Sequence, residues 1–152
     1  MPAGARPAPS TTRNAKPASR AGDDRAALPH LLETAGNIVN VASIAGIEGE
    51  VYSAGYCAAK HGLVGLTRAL AIEFTGDRLR VNAVCPGGML TPQVTEFEAP
   101  ENADYNLIMR IAAPRGMMAP VDVAKVIAFL ASDDAVTVHG AVYNVDNGKT
   151  AG

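Results

Sequence analysis

The chain has 152 residues, 48% hydrophobic and 18% charged, which suits one domain able to bury a sizeable core. A formal net charge of −2 speaks against a nucleic-acid binder. No apolar run reaches the roughly 18 residues that a membrane-spanning helix needs.

Residues 1–22 are rich in Pro, Ala and Ser and contain Arg6, Arg13, Lys16 and Arg20 but no acid. Pro2, Pro7, Pro9 and Pro17 oppose regular structure, so this leader is expected to be disordered. Residues 23–34 (DDRAALPHLLET) carry Leu28, Leu31 and Leu32 at helical spacing, with Asp23 or Asp24 as cap. Pro29 should kink or shorten that helix, and Gly36 should end it. Residues 37–43 (NIVNVAS) form a β-branched run that reads as a buried strand. Residues 44–55 read as a loop punctuated by Gly46, Gly49 and Gly55.

The next helix is expected over about residues 54–74, capped by Ser53. Its apolar stripe is Leu63, Leu66, Leu70 and Phe74. Ala58, Gly62, Gly65 and Ala69 make a second stripe, of small residues. Glycine inside a helix is unfavourable by about 1 kcal/mol against alanine, so that stripe implies close approach by another helix or a ligand. Residues 80–85 (RVNAVC) are the second strand, stopped by Pro86-Gly87-Gly88. A short helix is expected near residues 103–111. A longer one runs over 120–131, with Val123, Val126, Ile127 and Leu130 on one face. Residues 140–146 (GAVYNVD) are the last strand, closed by Asn147-Gly148. Strands alternating with helices indicate a parallel sheet with helical crossovers.

Tyr56 and Lys60 stand four residues apart in Tyr56-Cys57-Ala58-Ala59-Lys60, so both lie on one helix face. A free tyrosine phenol keeps its proton until about pH 10. Proton exchange near neutrality therefore needs a cation close by. An ammonium about 4 Å away supplies about 4 kcal/mol at an effective dielectric of 20. Ser43, at the end of the first strand, could hydrogen-bond a substrate oxygen while Tyr56 exchanges the proton. Each residue also has a plainer reading. Ser43 could simply bond to loop backbone, Tyr56 and Lys60 could be a surface pair, and Thr91 a turn residue. Cys57 and Cys85 read as thiols in a reducing compartment. His30, His61 and His139 have no metal-ligand spacing, and no metal site is expected. His61 reads as a helix-surface position.

Four segments in order, residues 37–46 (NIVNVASIAG), 56–60, 81–91 (VNAVCPGGMLT) and 129–148, resemble the C-terminal half of a short-chain dehydrogenase/reductase. The resemblance runs from about residue 25 onward. It implies an α/β fold, the C-terminal part of a Rossmann-like doubly wound parallel sheet, with three strands and crossover helices. Residues 23–152 would then be one partial domain. Ser43 resembles the serine that orients the substrate oxygen and Tyr56 the general acid/base. Lys60 resembles the lysine that eases the tyrosine's proton loss and binds the nicotinamide ribose. Pro86, Gly87, Met89 and Thr91 resemble the turn around the nicotinamide, with the Met89 backbone at the carboxamide. The implied reaction is hydride transfer with NAD or NADP, interconverting an alcohol and a carbonyl compound. Homo-oligomerisation and a cytoplasmic setting are implied as well, with neither nucleic acid nor membrane as partner.

The resemblance also implies parts that this sequence does not contain. No Gly-x-x-x-Gly-x-Gly or Gly-x-Gly-x-x-Gly string precedes Ile38, so the pyrophosphate-holding loop is absent. The residue that separates NAD from NADP belongs with that loop. The expectation is a truncated member whose first strand lies at an open, aggregation-prone edge. The alternative to an oxidoreductase is an inactive fragment, or a module that pairs with an intact relative. Residues 90–118 are expected to wall the substrate, with Met109, Met117 and Met118 either as adaptable lining or as plain core.

Overall fold

The computed structural model describes residues 26–96 and 98–151. The expected disordered leader and the cap at Asp23 or Asp24 lie outside the described residues. In chain order come α1 (residues 26–33), β1 (Asn37–Val41), a 3-10 turn (Ile44–Gly46), α2 (Ala54–Glu73) and β2 (Arg80–Pro86). Then follow α3 (Pro92–Thr95), α4 (Tyr105–Met109), α5 (Pro120–Ala131), a second 3-10 turn (Asp133–Ala135) and β3 (Val142–Val145).

The strands form one parallel sheet in the order β1-β2-β3. Side chains alternate between its two faces, and both faces are covered. On one side Ile38 and Val81 pack with Leu70, Ala71 and Leu79, joined by Leu28 and Leu31 of α1. On the other, Val84 packs with Val123, Leu130 and Met118, joined by Val39, Val126 and Ile127. Helices on both faces of a parallel sheet make the fold doubly wound, as the alternation of elements in the sequence predicts. No helix of the described residues is long and apolar enough to cross a membrane.

Polar side chains inside this core lock helices to strands. Asn40 donates to Thr67 Oγ1 at 3.1 Å, and Thr67 donates to the Leu63 carbonyl at 2.9 Å. Asn82 spans the approach to β3, donating to Val138 O at 2.8 Å and accepting from Ala141 N at 3.0 Å. His139 accepts from Val81 N–H at Nδ1 and lies 2.7 Å from Ala71 O at Nε2, which assigns the ring proton to Nε2. The Arg80 guanidinium reaches the carbonyls of Leu130, Ser132 and Ala135, capping the end of α5. Every buried side-chain nitrogen and oxygen among the described residues has a partner, as a stable interior requires.

Several local expectations change. The described part of helix α1 continues past Pro29 to residue 33. Its left-handed closing residue is Ala35, at φ 51, and Gly36 follows it, donating to Leu31 O. Strand β1 stops at Val41 and not at Ser43, because Ser43 caps the 3-10 turn. Ser53 precedes α2 without any side-chain cap bond. The two cysteines are free thiols, Cys85 buried and Cys57 half-buried. His61 is exposed and bonds back to the Cys57 carbonyl. Met118 is core, whereas Met109 and Met117 are exposed.

The small-residue stripe of α2 lies open among the described residues. Ala58, Gly62, Gly65 and Ala69 are all exposed. A Cβ on Gly62 or Gly65 would meet nothing within 4 Å. Gly62→Ala and Gly65→Ala should therefore each stabilise the chain by roughly 0.5–1 kcal/mol. Urea unfolding reads this directly, and an unchanged or lowered midpoint would show that the face is covered in solution.

Candidate active site

Register brings the first two loops together. Val41 pairs with Val84, so two residues further along each strand Ser43 and Pro86 emerge side by side at the C-terminal ends. Burial pushes the Cys85 thiol up, and the Ser43 backbone N–H beside it, with the charges of Lys60 and Arg68, pulls it part of the way back. Ser43 Oγ accepts from Ala45 N–H at 3.1 Å. That bond caps the 3-10 turn and still leaves the hydroxyl hydrogen to be donated elsewhere.

Gly46, at the end of that turn, rests on α2. A Cβ there would lie 2.8 Å from the Lys60 carbonyl oxygen and 3.2 Å from Val64 Cγ2. Only glycine allows this approach, and the approach sets the Ser43 turn beside Lys60. Tyr56 lies in the first turn of α2, half-buried. Lys60, one turn on, holds its ammonium 5.6 Å from the Tyr56 ring centre and donates to Val41 O at 3.0 Å. Its charge thus lies near both the Tyr56 ring and the end of β1, two residues before Ser43.

Of the remaining sequence-predicted residues, Pro86 is the last of β2, paired with Val145, and does not stop the strand before it, while Gly87, Met89 and Thr91 follow the strand. Gly87 donates to Val145 O, and a Cβ on it would fall 2.9 Å from Asp146 Cβ. Met89 and Met118 form an isolated parallel bridge closed by Gly88 O and Leu90 N. The Met89 N–H therefore points away from that bridge. Thr91 begins α3 in extended backbone, with Pro92 as its first helical residue.

A cleft of about 320 Å³ opens among Glu48, Glu50, Val51, Leu107, Arg110 and Lys149. Leu107 and Arg110 come from the expected wall segment. The Glu48 side is held by Cys57, whose sulfur accepts from Glu50 N–H at 3.3 Å. Tyr52 Oη accepts from Asp104 N–H at 2.8 Å, tying the same loop to the start of α4. Lys149 Nζ meets Glu48 Oε2 at 2.6 Å. Neither residue is foreseen from the sequence. Asn147-Gly148 signals a turn after the last strand, but nothing in the spacing pairs residue 48 with residue 149.

Asp146 organises that last turn. Burial alone would raise its carboxyl, but bonds from the Thr150 hydroxyl and from the Thr150, Gly148 and Lys149 backbone hold it below the ordinary aspartate range. Asn147 Nδ2 reaches Gly116 O at 2.9 Å. The turn thereby touches the end of the wall segment as well as Gly87.

A family model described as enoyl-(acyl carrier protein) reductase matches residues 24–150. The chain is 47% identical over 125 residues to a meso-2,3-butanediol dehydrogenase of Serratia marcescens, covering 82% of this chain and 49% of that one. It is 44% identical to a cyclohexanol dehydrogenase of Acinetobacter sp. (strain SE19), covering 82% and 47%. The chain thus spans about half the length of the curated relatives it matches. A 4-hydroxyisoleucine dehydrogenase mutant solved with NADH and succinate superposes with a TM-score of 0.76 at 31% identity. That match covers 89% of this chain and 56% of the other.

Because the folded Asp146 carboxyl is held low, its stabilising contribution is fully present above the unfolded value of about 3.9. The contribution is lost as pH falls through the lowered folded value. The stability gap between wild type and Asp146→Asn should accordingly be open near neutrality and narrow as the pH falls below the ordinary aspartate range. Thermal melts across that range read the gap, and a gap independent of pH would contradict the assignment.

Proposed function

This chain belongs to the short-chain dehydrogenase/reductase family, and from that premise we propose that Ser43, Tyr56 and Lys60 interconvert a small alcohol and its carbonyl compound with NAD or NADP. The observation that carries the reading is the placement of Lys60. Its ammonium is 5.6 Å from the Tyr56 ring centre and bonded to the carbonyl of Val41, two residues before Ser43. Residues 23–152 are read as the single domain that carries the site and residues 1–22 as a leader. A cytoplasmic setting suits the two free thiols.

Tyr56 exchanges the proton at the substrate oxygen as general acid or base. Ser43 Oγ, already accepting from Ala45 N–H, donates its own hydrogen to that oxygen and fixes its place. Lys60 stabilises the negative charge that develops on the phenol oxygen as its proton leaves, and its ammonium, a carrier of three N–H donors, is read as the partner of a ribose hydroxyl. A bound nicotinamide supplies the hydride donor or acceptor. The donor set suits that end of the dinucleotide. Pro86 and Gly87 shape the turn, Met89 N–H is directed away from its bridge, and Thr91 stands at the start of α3. No residue is assigned to the pyrophosphate, because no glycine-rich string precedes Ile38.

The substrate's remote end is assigned to the cleft between Glu48 and Leu107. Its volume of about 320 Å³ lies at the lower end of the roughly 300–1,000 Å³ typical of ligand sites. The apolar walls at Val51, Leu107 and Ile111 suit a compact aliphatic or alicyclic alcohol better than a steroid. The names of the butanediol and cyclohexanol relatives point the same way.

A chimera carrying the N-terminal half of the Serratia relative ahead of residue 26 tests this reading. It should reduce NAD with cyclohexanol or 2,3-butanediol. Tyr56→Phe should lower kcat by about 10²–10⁴-fold, the usual weight of general acid–base catalysis. Turnover retained in that variant would remove the phenol from the mechanism.

The second reading is an inactive chain that pairs with another. It is favoured by the exposed stripe of Ala58, Gly62, Gly65 and Ala69, next to an Ile72 that is 77% exposed. On this reading calorimetry finds no saturable NAD(H) binding by the 152-residue chain. Sedimentation finds an assembly that Gly62→Leu dissociates. Saturable cofactor binding by a monomer would dismiss it.

A further inference from the structure

We propose that Glu48 and Lys149 are positioning residues, whose ion pair latches the C-terminal turn (residues 146–150) onto the loop after Ser43 and so sets the width of the cleft. The functional side of this inference rests on the reading of the cleft as the substrate site.

The turn is fixed at its base and leans on two site-forming segments. Gly87 donates to Val145 O and packs against Asp146. Asn147 reaches Gly116 O, just before the Met118 that bridges Met89. Lys149 is its contact with a third segment, the loop that leaves the Ser43 turn. The turn has little freedom of its own, since Asn147 and Gly148 both have positive φ, 54 and 82, and Asp146 accepts from Gly148 N and Thr150 N. A rigid turn aims the Lys149 side chain.

The loop on the other side is pinned at Glu50 by Cys57 and at Tyr52 by Asp104. Glu48 precedes both pins; its backbone N–H bonds to Ile44 O at 2.9 Å, and its side chain is held from the tail. An ion pair in open solvent contributes little. Here the side chains are only 13% and 32% exposed for Lys149 and Glu48, at 2.6 Å, so screening is reduced. Both residues line the cleft opposite Leu107, Arg110 and Ile111. Loss of the pair would let the wall at Glu48 move outward while Ser43, Tyr56 and Lys60 stay in place.

Hydrogen exchange on the 152-residue chain tests the latch. Lys149→Met and Glu48→Gln should each speed exchange of the amides over residues 47–51 by about tenfold, a local opening that leaves the β2 amides unchanged. Lys149→Arg, and the charge-swapped pair Glu48→Lys with Lys149→Glu, should restore slow exchange. Unchanged exchange in both single variants would overturn the proposal. So would acceleration spread equally over β2, or no recovery in the swapped pair. In the chimera, Lys149→Met should raise KM several-fold with kcat nearly constant, the mark of a binding wall and not of the reacting groups. A fall in kcat at constant KM would refute the positioning role. The exchange result does not depend on Tyr56, and the Tyr56→Phe result does not depend on the latch, so each can fail alone.

Discussion

The contact between Gly46 and the Lys60 peptide is the constraint from which the site follows. The strand that ends at Val41 and the helix that begins at Ala54 are joined by a turn that would otherwise be free to drift. Because a Cβ at residue 46 would come within 2.8 Å of the Lys60 carbonyl oxygen, the turn seats against helix backbone with no side chain between. Ser43, three residues earlier, is carried to the same place. The Lys60 side chain then reaches back to Val41 O, closing a loop of contacts from strand to turn to helix to strand. Each contact is modest, yet together they leave few degrees of freedom for the three groups.

Behind that loop, buried polar side chains tie the helices to the sheet. Thr67 links α2 to Asn40 of β1. His139 links the approach to β3 with both Val81 and the α2 carbonyl of Ala71. Arg80, first in β2, holds the carbonyls of Leu130 and Ser132 at the end of α5 and that of Ala135 in the following 3-10 turn. Removing one partner of such a pair leaves a desolvated group behind, so these residues fix orientation in a way that apolar packing, tolerant of shape-conserving exchange, does not.

Much of this was legible in the sequence because it obeys short-range rules. The β-branched runs at 37–41 and 80–85 became strands, and the stripe from Leu63 to Phe74 became the buried face of α2. Tyr56 and Lys60 share a face because four residues make about one turn. Other local signals act differently in the fold. The glycine signal at residue 36 pointed to a left-handed C-cap, but Ala35 takes it and Gly36 follows. Gly62 and Gly65 suggested a tight neighbour, yet none of the described residues approaches them. What no local rule could supply was the C-terminal turn's place beside residue 48. The pairing of Glu48 with Lys149 depends on the whole sheet being assembled, and neither residue belongs to a periodic pattern.

The parallel register of β1 and β2 has a consequence for how the gene can vary. Side chains alternate faces at every step of about 3.3 Å. Deleting one residue between Gly36 and Ser43 would draw Ser43 back into the place of Ala42 and put Ile44 where the hydroxyl emerges, or else turn Ile38 and Asn40 out of their pockets. Either way the hydroxyl leaves the neighbourhood of Lys60. The stretch between α3 and α4 keeps no strand register and can absorb a codon gained or lost. Length, more than composition, is what selection must guard in the six residues between Gly36 and Ser43.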